Sequence, residues 1–483
     1  LEPIRMTKLR LLLADNNNDY RESLRQLLEM EGFLVTAVDS VPGAFEKLET
    51  MNWDLVLVDL RLSNDNDHQD TSGCAVVINA DQREIPCIVI TAFPTVDAAR
   101  LTLRSLTPNA TAVDFVPKAQ GPEAVLKSIR SVFGITLLHI SDLHPKVPAS
   151  GEVPYDQEEA YSQFLGDVLN QPGLGLNPLR TVLVSGDISY RNQDESFEWA
   201  KHYLIDLSDK LCIPKHQFIM TPGNHDINRL NAQQTADSLH SMTTNNVTWF
   251  SKYDKYLNFT QHFYGEPAFT PERLYRLFTF DNQVAIVAFN SCLVEGDSKW
   301  KCSVCAATTG KEHYCGWIDR HQVLQASIEL NAMKWPGLRI GMFHHHVVSE
   351  DYDPPHDSCQ GDHLWPYHDT EHWLKFILSG EGFHILLHGH RHKTELKQPQ
   401  TIGSDAPINL GSGAFWPVNN DKQETANYLL LQFSPMAEKS RVIMRKYFPT
   451  SENRRGYWGA DNSIRPDGLI RLPGIRVPTA HAD

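Results

Sequence analysis

The chain has 483 residues, 41% hydrophobic and 21% charged, with a formal net charge of −15. That length exceeds one ordinary core and points to roughly two to four domains of soluble globular composition. The acidic balance argues against a general polyanion-binding surface, and no apolar run approaches the ~18 residues of a membrane span. Leu1 to Arg10 has no apolar stretch behind a basic start, so no signal peptide is predicted. Five of the eight cysteines are scattered, which reads as reduced thiols in a cytoplasmic protein.

In chain order, apolar runs first alternate with helical patterns. Leu9–Ala14, Leu34–Val38, Leu55–Val58, Cys87–Thr91 and Ala112–Val116 read as strands. Asp19–Glu31, Pro42–Met51, Ser72–Gln82, Thr95–Leu106 and Pro122–Val132 read as helices. Such alternation predicts a parallel sheet covered on both faces, with its ligand site beyond the carboxyl ends of the strands. Asp15 and Asn16 follow the first strand, Asp59 ends the third, Thr91 the fourth, and Lys118 follows the fifth. Together they predict an acidic pocket edged by a hydroxyl and an ammonium.

This segment resembles a response-regulator receiver domain. The resemblance implies that Asp59 is the phosphoacceptor, fed by a histidine-kinase partner. It also implies that Asp15 helps hold Mg²⁺, that Thr91 reads the phosphoryl group and that Lys118 pairs with it. Asn16 stands where the family usually has a second acid, and an amide is the weaker Mg²⁺ ligand. The alternative is a receiver fold kept as a docking or homodimerisation module. No Gly/Ser-rich or Pro-rich linker separates residues 1–133 from 134–483, so fixed packing between the two predicted domains is expected.

Beyond Gly134, strands end repeatedly in ligand-type residues. Ile135–Ile140 leads to Asp142-x-His144, and Thr181–Val184 to Gly186-Asp187. Gln217–Met220 leads to Gly223-Asn224-His225-Asp226, Leu338–Phe343 to His344-His345-His346, and Phe383–Leu387 to His388-Gly389-His390-Arg391-His392. Carboxylate, imidazole and amide ligands suit borderline cations such as Mn, Fe, Zn, Ni or Co better than Ca²⁺. Two such cations can clamp both oxygens of an in-line phosphoryl displacement. Tyr428–Phe433 and Arg441–Tyr447 alternate apolar and polar residues and read as a hairpin.

The five motifs together resemble the calcineurin-like metallophosphoesterases, from Ile135 to about Tyr447. The resemblance implies an αββα two-sheet sandwich with a dinuclear site at the strand ends. Asp142, His144 and His392 would bind the first metal, and Asp187 would bridge. Asn224, His344 and His390 would bind the second, His344 being taken because it comes first after its strand. His225 would be general acid or phosphate clamp, with Asp226 orienting its ring, and Arg391 is a candidate phosphate contact. The implied activity is hydrolysis of a phosphoester. A nucleotide-type phosphodiester is favoured. The same family also offers nuclease and phosphatase activities, so a nucleic-acid substrate stays open, and a non-catalytic phosphate-binding scaffold is the other alternative.

Between Asn290 and a helix expected near Gly316 lies an insertion with Cys302-x-x-Cys305 and His313-x-Cys315. These residues match a structural Zn²⁺ site in type and number, though not in a firm spacing; a loop of reduced thiols is the other reading. His356, His363, His368 and His372 follow His344 as candidate substrate contacts. The tail Arg454–Asp461 resembles the end of bacterial metallophosphoesterase domains fused to signalling modules, or else is an aromatic strap over an open sheet edge.

Overall fold

Short aliphatic runs between amphipathic helices build the first sheet. The structure is a computed structural model that describes residues 9–92, 112–145, 155–229, 247–295, 316–345, 382–397, 407–416, 426–449 and 455–478, apart from positions 65, 68, 84, 172–173, 175–176, 281, 436–438 and 473. Strands β1 (Arg10–Ala14), β2 (Leu34–Val38), β3 (Leu55–Asp59), β4 (Cys87–Thr91) and β5 (Ala112–Pro117) pair in parallel in the order β2-β1-β3-β4-β5. Helices α1 (Asn18–Met30), α2 (Val41–Thr50), α3 (Gly73–Gln82) and α4 (Pro122–Ser131) cover them. Side chains alternate across the pleat. Leu12, Val56 and Val58 face one core with Ala44 and Val76, while Leu11, Leu13 and Leu57 face another with Leu28 and Ile129. The helix expected over Thr95–Leu106 lies outside the described residues.

The chain then passes almost directly from α4 into β6 (Ile135–Ile140). It continues through α5 (Tyr155–Leu169), β7 (Leu179–Val184), α6 (Asp194–Leu211), β8 (Phe218–Met220), α7 (Asp254–Tyr264), β9 (Tyr275–Phe280), β10 (Val284–Phe289) and α8 (Arg320–Ala332). After these come β11 (Leu338–Met342), β12 (Ile385–His388), β13 (Glu395–Lys397), β14 (Ile408–Gly411), β15 (Asn427–Phe433), β16 (Arg441–Phe448), β17 (Tyr457–Ala460) and β18 (Leu469–Arg471). Six strands form one sheet, β13-β14-β12-β11-β10-β9, and seven form another, β17-β16-β15-β6-β7-β8 with β18 on β16.

The layers follow from the alternation of apolar residues. Leu137, Leu183 and Ile219 point inward to meet Ile286, Ile340, Ile385 and Leu410 between the sheets. Their neighbours Leu138, Val182 and Phe218 point outward under Phe164, Leu204 and Phe259 of α5, α6 and α7. On the far side Val287, Phe289 and Leu386 pack under Val323, Ala326 and Leu330 of α8. The arrangement is the expected αββα sandwich.

Two details differ from the sequence expectation or decide between its alternatives. Helix α8 starts at Arg320, where the Asp319 carboxylate accepts from Gln322 N at 3.3 Å, and not near Gly316. The tail is a strap: β17 pairs antiparallel with β16, and buried Trp458 donates from Nε1 to the Ala160 carbonyl at 2.8 Å.

Candidate metal centre

Three of the five strand ends deliver their ligands through an unusual backbone. Among the described residues ten non-glycine positions have positive φ, and five of them are Asp142 (51°), His144 (33°), Asp187 (50°), His390 (74°) and His392 (51°). Asp and His tolerate this region better than most residues, yet each such conformation costs on the order of 1–3 kcal/mol and needs support around it. Support is visible. His390 N donates to both Asp142 carboxylate oxygens, at 3.2 and 3.0 Å, and His225 N donates to Asp187 Oδ1 at 2.8 Å. Gly223 is required where it stands, because a Cβ there would collide with the Asp187 carboxylate and backbone nitrogen.

The donor atoms converge in three overlapping groups. Asp142, His144 and His392 form one, Asp187, His344 and His390 another, and His144, Asp187 and His225 link them, with the ligand atoms of each group within 4.8 Å of one another. Asp187 Oδ2 lies 3.1 Å from His144 Nε2 and 3.4 Å from His344 Nε2, so a single carboxylate oxygen sits between the groups. His144 and His344 direct Nδ1 at backbone carbonyls, Ser189 O at 3.2 Å and Ser185 O at 2.8 Å. A carbonyl only accepts, so Nδ1 carries the proton and the Nε2 lone pair faces the site. Asn224 completes the second group, with Oδ1 3.1 Å from His344 Nε2, which in turn is 2.9 Å from His390 Nδ1. Rotating the Asn224 amide would let its nitrogen donate to His344, Asp187 and His390. As placed, an amide oxygen, a carboxylate oxygen and two imidazole nitrogens converge, a donor set that a cation satisfies.

The electrostatics agree. Asp142 and Asp187 are fully buried, and burial raises their pKa. His392 and His344 outweigh it for Asp142, and His344, His225 and His144 do so for Asp187, so both carboxyls lie well below the usual range. Burial lowers the His344 pKa, but Asp187, Asp142 and the Ser185 carbonyl raise it to about 9. Two buried carboxyls held ionised beside converging imidazoles and an amide oxygen fit a pair of divalent ions.

Asp226 does not do what the sequence reading expected of it. Its buried carboxylate accepts from Ser189 N at 2.7 Å, Gly223 N at 2.9 Å and Ile188 N at 3.1 Å, and no described hydrogen bond joins it to the His225 ring. The acid ties the turn after β8 to the loop after β7. Tyr190 stacks on the His225 ring instead, with centroids 6.2 Å apart, and His144 meets it edge-on at 4.6 Å. Burial, with His144, Arg229 and His344 adding to it, lowers the His225 pKa to about 4, against the pull of Asp187. Arg391 pairs with Glu395 Oε1 at 3.3 Å. His345 is buried beside the site, its Nδ1 2.9 Å from Ser291 Oγ. His346, the Cys302, Cys305, His313 and Cys315 cluster, and His356, His363, His368 and His372 lie outside the described residues.

Sequence reasoning missed Glu295, Arg229 and Lys252. Arg229 Nη2 lies 2.8 Å from the buried Glu295 Oε1, and Lys252 is buried with Nζ donating to the carbonyls of Leu293, Cys292 and Glu295 at 2.5, 3.2 and 3.3 Å. An Arg three residues beyond the Asn-His-Asp turn was the one available signal.

The pocket at the ends of β1, β3, β4 and β5 also assembles. Lys118 Nζ lies 2.6 Å from Asp59 Oδ2 and 2.7 Å from Asp15 Oδ2, and Asp59, Asp15 and Thr91 are buried. Burial raises the Asp15 pKa, with Lys118 opposing and Asp59 adding to it. Asn16 donates from Nδ2 to the Arg61 carbonyl at 2.9 Å, while its Oδ1 is buried without a hydrogen-bond partner. That orphan acceptor beside two carboxylates fits a Mg²⁺ ion, with one negative charge fewer than two adjacent acids would give.

Comparison with known proteins finds both families. The family model "Response regulator receiver domain" matches residues 11–130 and the model "Calcineurin-like phosphoesterase" matches residues 135–394. No curated protein matches the chain. Among solved structures it is similar to a response regulator receiver domain protein from Methanospirillum hungatei, with 22% identity over 26% of this chain and 92% of that one and a TM-score of 0.22. A response regulator from Thermotoga maritima has 18% identity over 26% and 95%, with a TM-score of 0.22. One from Burkholderia pseudomallei, solved with a phosphorylated aspartic acid, has 21% identity over 25% and 66%, with a TM-score of 0.22.

Proposed function

Given that the chain belongs to the calcineurin-like phosphoesterase family and carries a response-regulator receiver domain ahead of the esterase, we propose that it hydrolyses a nucleotide-type phosphodiester under control of that receiver. The observation that carries this reading is the convergence of the Asp142, His144, His392 group and the Asp187, His344, His390 group on one shared oxygen of Asp187. Asn224 joins the second group. A pair of divalent cations, with Mn²⁺ the first choice to test, supplies Lewis-acid charge and water activation when bound. The protein's own part is positional. Asp142, Asp187 and the imidazoles fix the charge distribution before substrate arrives, so no reorganisation is needed at the moment of reaction.

His225 stands at the edge of this array with a ring kept neutral chiefly by burial. A neutral imidazole donates one hydrogen bond to a phosphoryl oxygen. Of the two roles considered for His225, phosphate clamp therefore fits better than proton delivery to the leaving group. In the receiver, Asp59 is the phosphoacceptor, with Lys118 already paired to it and Thr91 beside it. The paired charges of the pocket support phosphotransfer over a purely docking role.

The test is hydrolysis of bis(4-nitrophenyl) phosphate by the full chain with added Mn²⁺, alongside a monoester chromogen and cyclic nucleotides. Turnover of the diester that disappears in Asn224→Ala and His225→Ala is the expected outcome. Turnover of the monoester alone would move the assignment to a phosphatase, and metal binding without turnover of any substrate would favour the scaffold.

A further inference from the structure

The loops that follow the second ligand group hold a guanidinium that the family motifs do not include. Arg229 Nη2 lies 2.8 Å from Glu295 Oε1 and 3.1 Å from the side-chain amide nitrogen of Asn224, whose oxygen faces the cation site; rotating that amide would instead let its oxygen accept from Arg229. Its position is fixed from both ends. The Asn228 backbone N donates to the Lys252 carbonyl at 3.0 Å, and the Lys252 ammonium holds the carbonyls of residues 292, 293 and 295. Lys252 thereby ties the loop bearing Arg229 to the loop bearing Glu295.

The exposure of the pair is asymmetric. The Glu295 side chain is 1% exposed and the Arg229 side chain 45%. A carboxylate sunk this deeply is a poor stability device, because its desolvation offsets what the pairing gains. It is, however, an effective way to hold a guanidinium fork at a chosen place. That place is next to Asn224, on the side of the site where the second cation would sit.

We propose that Arg229, oriented by Glu295, contacts a non-bridging oxygen of the substrate phosphoryl group and of the phosphomonoester product, a contact that inorganic phosphate reports as a probe. Arg229 is then a substrate-binding residue, and Glu295 a positioning residue acting through it. This rests on the phosphoesterase reading for its substrate, but it can be tested without turnover. Guanidinium groups bind phosphoryl oxygens through two parallel hydrogen bonds, so loss of the fork has a larger effect than loss of a point charge.

The experiment uses the full chain loaded with Mn²⁺. It compares the parent with Arg229→Ala, Arg229→Lys and Glu295→Gln, reading inorganic phosphate affinity by calorimetry, metal content, and KM and kcat for bis(4-nitrophenyl) phosphate. Arg229→Ala is expected to weaken phosphate about 10- to 100-fold with metal content as in the parent, as befits a lost charge-assisted contact. Arg229→Lys should restore only part of that affinity, and Glu295→Gln should fall between parent and Arg229→Ala. Phosphate bound equally by parent and Arg229→Ala would overturn the proposal, and so would a loss of metal in Arg229→Ala. Parental affinity in Glu295→Gln would overturn the positioning role. A parent that binds phosphate through Arg229 but turns over no ester would leave this inference standing and sink the catalytic reading. A parent that turns over the diester but binds no phosphate would sink this inference and leave the catalytic reading standing.

Discussion

Single buried residues set the conditions under which this site survives. His139 on β6 is fully buried, with Nε2 2.8 Å from Ser185 Oγ. Burial first, and then the charge of His388, lower its pKa to about 3 from 6.5, with Asp142 opposing in part. The folded ring is therefore neutral throughout the interval in which the unfolded ring takes a proton. Its contribution to stability is complete above pH 6.5 and is lost as the pH falls toward 3. One proton of difference corresponds to about 1.4 kcal/mol per pH unit inside that window. His139→Gln retains a hydrogen-bonding side chain and does not titrate, so its stability should fall less steeply on acidification by about that slope. Denaturant midpoints of parent and variant, taken inside and above the window, measure the difference. Parallel acid limbs would assign the sensitivity to other groups.

At the scale of elements, the strap formed by β17 closes the outer edge of the seven-stranded sheet. Trp458 packs against Tyr428, Tyr447 and Phe164 with ring centroids 5.1, 5.5 and 5.7 Å away. Its indole N–H donates to the Ala160 carbonyl of α5. Trp458→Ala should cost about 3–5 kcal/mol by cavity formation. Lower thermal stability with metal content unchanged is expected, and an unaltered melting curve would show that the edge holds without its ring. The strands were legible because their side chains obey period two under burial on both faces, as with Leu137 and Leu138. Strand-end ligands were legible for a related reason: Asp, His and Asn have no apolar role where an aliphatic run stops. Other features leave no local mark. Asp226 takes all its described partners from backbone N–H groups, which any sequence would offer. Glu295 and Arg229 are far apart in the chain, and the described hydrogen bonds of Lys252 go to carbonyls, so neither contact imposes a pattern on residue type. The start of α8 was misplaced because Asp319, its cap, lies beyond a long insertion with no periodic signal.

At the scale of the whole molecule, the question is how a phosphoryl group on Asp59 could reach the esterase. Only Val132, Phe133 and Gly134 separate α4 from β6, and β6 runs straight to Asp142 and His144. Gln283, buried in the turn between β9 and β10, donates from Nε2 to the Phe133 carbonyl at 3.0 Å and to the Pro478 carbonyl at 3.1 Å. Its own carbonyl accepts from Leu338 N at 2.8 Å, at the start of the strand that leads to His344. The junction is thus fastened to both sheets: covalently to one through β6, and through Gln283 to the other. A receiver that shifts α4 must carry Phe133 with it, and with Phe133 either β6 or the Gln283 clasp. Acetyl phosphate should therefore change turnover in the parent, within the roughly 5- to 150-fold range typical of allosteric coupling. Asp59→Ala should remove the response while keeping basal turnover. Gln283→Leu removes both clasp hydrogen bonds without touching either site, so it should keep basal turnover and blunt the response. A full response in Gln283→Leu would route the coupling through β6 alone. A parent indifferent to acetyl phosphate would leave the receiver as a docking module, with the clasp holding it in place.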